Sequence, residues 1–358
     1  MTTADEQRHR ATTAWRSLLH HFARRYEGPG AFDETSPWSH RTYLWPFSQA
    51  TAAAYDLAAL GLVERDVADA IRDDGLAAHR HRKGSEHGYH DTVRSWFQQG
   101  DRYYDDAAWV GLVLARAARA SGDASLRAEA HEVLDFVTSG WDDSGIHPHP
   151  GGLFWKRSDD RMDRNVASTA PSAQLAAQLY AMTGAEVCRE WATRLYEWVV
   201  ESLRDEDARY FDRIGPTGEI ERTKWTYNQG SMIGAGVLLA GAWRGDDDGR
   251  ADRYLAQAHE TAHASLAVGL AQHPGDPWFD CIHLRNLLLL CTASEDAALV
   301  QRVREDATRW SDELWASHDW ADVESPPPPS ARPRRLLADA AAVQVFAVLG
   351  GLDPDLLV

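Results

Sequence analysis

Two kinds of helical periodicity alternate along this chain, and that alternation limits its possible folds more than any other feature. One kind is amphipathic. In VCREWATRLYEWVVESL, residues Val187, Trp191, Leu195, Trp198 and Val199 recur at helical spacing, with Arg and Glu between them. LRAEAHEVLDFV repeats the pattern through Leu126, Ala130, Val133, Leu134 and Val137. The other kind is apolar almost all round, as in AAWVGLVLARAARA, ASTAPSAQLAAQLYAM, GSMIGAGVLLAGAW and LLADAAAVQVFAVLGG. A helix without a polar face must be surrounded by protein. The spacing predicts mostly buried helices beginning near residues 41, 104, 165, 228, 278 and 335. Half-exposed helices are predicted to begin near 8, 64, 126, 186, 250 and 296.

The links between helices also come in two kinds. Short turns, ASGDASL, MTGAEV and TASEDAAL, join a buried helix to the next half-exposed one. Longer Gly- and Pro-rich links, such as GWDDSGIHPHPGGLFWKR and DEDARYFDRIGPTGEIERTKW, lead from a half-exposed helix to the next buried one. Strand signals are nearly absent. We therefore expect an all-α chain, an (α/α)6 toroid of about twelve helices, forming a single catalytic domain over residues 1–358. The long loops should build its functional face, because loops on a rigid scaffold carry chemistry. SPPPPSARPRR over 325–335 is expected to be a surface connection inside that domain.

Composition narrows the partners. A formal net charge of −17 argues against nucleic acid and against an anionic membrane. No apolar run reaches the roughly 18–20 residues of a membrane span. The N-terminal segment shows no apolar signal region, so a cytoplasmic location is expected. Cys188, Cys281 and Cys291 form no CxxC pair and no disulfide framework. Fifteen tryptophans suit both a core and sugar-stacking platforms.

The first candidate site is Asp105-Asp106, at the mouth of a buried helix and flanked by Tyr103, Tyr104 and Trp109. Acidic residues there also suit helix capping. Three features favour chemistry. The flanking Tyr103, Tyr104 and Trp109 are unusual for a plain cap. The helix behind the pair is of the buried kind, so the pair points into the toroid. Side chains diverging from neighbouring residues at a helix start can also hold their carboxyl groups about 5 Å apart, the separation a retaining glycosidase needs. Two close carboxylates cannot easily be charged together, which drives their pKa values apart.

Further along, Trp155 follows Gly151-Gly152 and could stack on a sugar ring or plug the end of the toroid. Asn165, at the start of the next buried helix, suits an N-cap or a hydroxyl contact. Trp225, Tyr227, Asn228 and Gln229 lead into another buried helix, where amides and a phenol would suit a neutral, hydroxyl-rich ligand.

YYDDAAW, GGLFW, NVASTAPSAQLAAQLYAMTG and TYNQGSMIGA occur in that order, and together they resemble glycoside hydrolase family 76 over roughly residues 40–350. That family contains endo-α-1,6-mannanases and related fungal wall transglycosidases. The resemblance implies an (α/α)6 fold, a retaining mechanism, no metal and no cofactor. It also implies α-mannan or a mannooligosaccharide as substrate, Asp105 as nucleophile and Asp106 as acid/base. A transglycosidase would use the same site. A sugar epimerase would need histidine bases, for which His87, His90, His273, His283 and His318 are available; a non-catalytic mannan-binding protein would need neither. Asp105-Asp106 is followed by Ala-Ala-Trp and makes no DDxxD, and no HExxH-type or clustered Cys/His set is expected to supply metal ligands.

Overall fold

Among the described residues, twelve α-helices follow one another. They are α1 (Ala4–Phe22), α2 (Leu44–Ala59), α3 (Arg65–His79), α4 (Tyr104–Ser121), α5 (Ala124–Thr138), α6 (Val166–Thr183), α7 (Glu186–Leu203), α8 (Thr226–Ala242), α9 (Arg250–Val268), α10 (Pro277–Ala293), α11 (Ala297–Ala316) and α12 (Leu336–Leu349). The computed structural model describes residues 2–36, 40–81, 88–93, 100–158, 163–246, 249–273, 276–317, 320 and 333–357. Most of the Pro-rich stretch at 325–335, together with His87 and His318, lies outside them.

The even-numbered helices form the inner ring. Each packs on the next, from α2 through α4, α6, α8 and α10 to α12, and α12 returns to α2. The odd-numbered helices form the outer layer. α5 fits between α4 and α6, α7 between α6 and α8, and α11 between α10 and α12, while α1 lies on α12 and α3 on α2. This is the (α/α)6 toroid that the alternating periodicity predicts. The inner helices bury nearly every side chain, as α12 does from Leu336 to Val348 with Ala338 as its half-exposed exception. An outer helix buries one stripe only. On α7 that stripe is Cys188, Ala192, Leu195, Tyr196, Trp198, Val199 and Leu203. It is rotated from the stripe read in the sequence: Val187 is exposed in the first turn, and Trp191 sits half-buried against Trp141, ring centroids 5.8 Å apart.

The short turns work as caps. Asp123 accepts the Ser125 N–H at 2.7 Å to start α5, and Asp296 accepts the Leu299 N–H at 3.0 Å to start α11. On the opposite, long-loop face the described residues form five two-residue strands. β1 (Thr35–Ser36) pairs with β5 (Arg334–Arg335), while β2 (Arg164–Asn165), β3 (Arg213–Ile214) and β4 (Ile220–Glu221) form a three-stranded antiparallel patch. Strands this short carry no period-two signal, which is why the sequence shows none. No helix among the described residues is long and apolar enough to cross a membrane.

Candidate active site

All six inner helices point their N-terminal ends into one cleft of about 540 Å³. Tyr43, Trp45 and Pro46 come from the start of α2, and Tyr103, Asp105, Asp106 and Trp109 from α4. Asn165 and Ala167 come from α6, Tyr227 from α8, Trp278 and Phe279 from α10, and Arg335 and Leu337 from α12. Glu34, Asp91, Trp155, Asp163, Asp212 and Arg213 complete the lining from the long loops. Among the described residues, six carboxylates therefore face two guanidinium groups. Each helix N-terminus carries roughly half a positive charge. Six of them aimed at one cleft offset much of that excess negative charge.

The loop before β2 places Trp155. Gly151 and Gly152 have φ of 104° and 78°, in the left-handed region. A Cβ on Gly152 would lie 2.5 Å from the Trp198 ring, so only glycine lets the loop lie on that indole. Arg164 is fully buried and knits the loop from inside. It donates to Asp142 Oδ2 at 3.0 Å, to the His149 carbonyl at 2.7 Å and to the Pro148 carbonyl at 2.9 Å. Trp155 then acts on α4 twice. Its carbonyl accepts the Tyr104 N–H at 2.9 Å, capping the helix, and its indole Nε1–H donates to Asp105 Oδ2 at 3.0 Å. Its ring also meets Tyr103, with centroids 5.0 Å apart.

Adjacent in sequence, Asp105 and Asp106 sit in unlike surroundings. Burial raises the Asp105 carboxyl to about 6; the Asp106 backbone N–H and the Trp155 indole act to lower it, and Asp163 nearby acts to raise it. Asp106 is pushed further, well above the carboxylate range, by burial first, then by the charges of Asp105, Asp91 and Glu34. The two titrate as a coupled pair. In such a pair Asp105 is the group that ionises first and Asp106 the one that keeps its proton.

The remaining expected residues divide. Trp109, Trp155, Asn165 and Tyr227 line the cleft with the aspartates. Asn165 is also the N-cap of α6, accepting the Ser168 N–H at 2.7 Å. Tyr227 stacks on Phe279, centroids 4.6 Å apart, and its phenol is raised well above its ordinary value by burial and by Asp212 and Asp105. Tyr104, Trp225, Asn228 and Gln229 do not line the cleft. The buried Tyr104 ring turns outward onto Phe136, centroids 5.0 Å apart. Trp225 packs behind the wall on His273 and Phe279. Asn228 is fully buried and donates to Asp212 Oδ1 at 3.0 Å, which makes it a support for a lining carboxylate. Gln229 spends its amide on the backbone, accepting the Tyr210 N–H and donating to the Tyr210 and Trp225 carbonyls.

Sequence reading missed Trp45, Trp278 and Phe279, although all three stand at buried-helix starts, the same signal that marked Tyr227. It also missed Glu34, Asp91, Asp163 and Asp212, single acids in long loops with no local pattern to mark them. No described histidine lines the cleft. His283 is fully buried, its ring nitrogens 2.9 Å from Ser265 Oγ and 3.2 Å from the Leu270 carbonyl. His90 lies against the Gly100 carbonyl, and His273 beside Asp280.

A helical toroid with adjacent carboxylates under an aromatic-walled cleft is the build of a glycoside hydrolase. The model of glycosyl hydrolase family 76 matches residues 6–280, and the chain belongs to that family. Among curated proteins it is 25% identical over 186 residues to a mannan endo-1,6-alpha-mannosidase of Saccharomyces cerevisiae, a match spanning 48% of this chain and 40% of that relative's length. Among solved structures it is similar to a family 76 alpha-mannanase of Bacteroides thetaiotaomicron, with TM-score 0.80 and 17% identity over 96% of this chain and 95% of that one. It is also similar to an alpha-1,6-mannanase of Salegentibacter sp., here an inactive variant with two adjacent aspartates replaced by asparagine, in complex with alpha-1,6-mannotriose. That match has TM-score 0.76 and 20% identity over 97% of this chain and all of the other.

Proposed function

We propose that this protein is a retaining glycoside hydrolase cleaving α-1,6-mannosidic linkages, with Asp105 as nucleophile and Asp106 as acid/base. The observation that carries the proposal is the asymmetry of the pair. Asp105 holds two hydrogen bonds to its carboxylate and ionises near 6. Asp106 receives repulsion from three neighbouring acids and retains a proton for the departing oxygen. Family membership and the two adjacent aspartates replaced in the inactive Salegentibacter enzyme support an adjacent aspartate pair as the catalytic centre. The cleft volume falls in the usual range of ligand sites, and the exposed faces of Tyr43 and Trp155 offer stacking platforms for pyranose rings.

In the first step Asp105 attacks the anomeric carbon while Asp106 protonates the glycosidic oxygen, and the leaving sugar departs. In the second step Asp106, now a base, deprotonates a water that displaces Asp105. Two inversions leave the α configuration. The test is incubation with linear α-1,6-mannooligosaccharides, following products and anomer by NMR. Shortened chains released first as the α-anomer are expected. Released β-anomer would remove the double displacement, lengthened chains would make the protein a transglycosidase, and an intact substrate would make it a binder.

A further inference from the structure

Residues 259–263 read His-Glu-Thr-Ala-His, an HExxH pattern. It corrects the expectation that the chain offers no such set of metal ligands. The run lies in α9, which puts His259 and His263 one turn apart on the same helical face. Asp296, at the start of α11, meets them there. One ring nitrogen from each histidine and one oxygen of Asp296 lie within 4.8 Å of one another. His263 Nε2 and Asp296 Oδ2 are already 3.1 Å apart. Bonds of about 2.0–2.1 Å in a tetrahedral zinc site separate neighbouring ligand atoms by about 3.3 Å.

We propose that His259, His263 and Asp296 bind a divalent zinc-class ion that braces outer helix α9 to the start of α11, apart from the glycosidase cleft.

The acidic ligand is pre-positioned. Asp296 Oδ1 accepts the Leu299 N–H as helix cap, which fixes the carboxylate and leaves Oδ2 facing the histidines. α9 and α11 each pack on α10, so an ion held by both would join them directly. None of the three ligands lines the cleft.

One ion pair sets this run apart from the HExxH of zinc hydrolases. There the glutamate is the general base for a metal-bound water. Glu260 holds the same place in this run. Its carboxylate pairs with Arg204 of the α7 C-cap, Nη2 to Oε2 2.5 Å.

The experiment is calorimetric titration of zinc chloride into the full chain, stripped of metal by a chelator, at pH 7.5. One-to-one binding is expected, weakened about tenfold or more in His263→Ala and in Asp296→Ser, which keeps a capping oxygen. Glu260→Gln should bind as tightly as the wild type. Zinc should raise the melting temperature of the wild type but not of His263→Ala, because only a ligand of the native state stabilises it. Absence of one-to-one binding, or equal affinity in all variants, overturns the site. Zinc-dependent casein cleavage lost in Glu260→Gln overturns its assignment as a brace.

Discussion

Asp105 and Asp106 share a helix turn and a cleft, yet the groups around them differ, and kinetics can read that difference. If Asp106 is the acid/base, a substrate with a good leaving group needs little protonation. Asp106→Ala should then keep most of its glycosylation rate on an activated aryl α-mannoside and stall at the glycosyl-enzyme. Azide should rescue it and yield the α-mannosyl azide. Asp105→Ala lacks the nucleophile, so azide can enter only from the opposite face and give the β product. On unactivated oligosaccharide either Asp→Asn change should cost about 10²–10⁴-fold or more in kcat. The same azide anomer from both alanine variants would reverse or abolish the assignment. Trp155 offers a finer probe. Its indole N–H helps to hold the Asp105 carboxyl down. In Trp155→Phe the ring remains but the donor is gone, so Asp105 should ionise at higher pH. The acid limb of the kcat/KM profile should move upward, where loss of stacking alone would raise KM without moving the limb.

At the scale of elements, the cleft depends on a loop held from within by one side chain. Arg164 is fully buried, its charge answered by the equally buried Asp142 and by loop carbonyls. Removing one partner of such a pair strands the other, at about 3–5 kcal/mol. Arg164→Met should lower stability by that order in urea unfolding, and activity should fall in parallel as Trp155 loses its placement. Unchanged stability would mean that the loop is held elsewhere.

Elements of this kind set the limit of what sequence could reveal. Helix starts were legible because burial on all sides, or on one stripe, is written as a period. The expected start near 104 is Tyr104, and that near 165 is Val166. The acidic pair was legible because it stands at such a start. The direction of single side chains was not. Tyr103 and Tyr104 are neighbours of the same type, but the helix turns one into the cleft and the other onto Phe136. Asp163 and Asp212 reach the cleft only through the β2–β3 pairing, whose two-residue strands join positions some fifty residues apart. The histidine pair in α9 was written locally, but its third ligand arrives from another helix.

Taken as a whole molecule, the toroid gathers six helix N-termini and six carboxylates at one end, and that concentration has a cost in stability that pH should expose. The cost is largest where two acids are desolvated side by side. Asp105 has a folded-state pKa raised to about 6, and Asp106 one raised further. Unfolded aspartates titrate near ~3.9. A raised pKa means that the folded state binds protons more tightly than the unfolded one. The favourable contribution is fully present below about pH 4, where both states are protonated, and is lost as pH rises through the folded values. Asparagine mimics the neutral acid at every pH and never ionises. The double variant Asp105→Asn/Asp106→Asn should therefore melt above the wild type at pH 8 by a few degrees, and the gap should narrow steadily toward pH 4. Comparing the two proteins cancels the other acids, such as Asp339, whose burial raises it to about 6 despite Arg334 beside it. It also cancels His79 and His283, which burial lowers to about 4 and whose effect on stability runs the opposite way. Thermal melts of both proteins at half-unit steps from pH 4 to 8 decide the matter. A gap that does not vary with pH would show that the two carboxyls ionise in the folded cleft as they do in the unfolded chain, and the division of labour between Asp105 and Asp106 would lose its electrostatic basis.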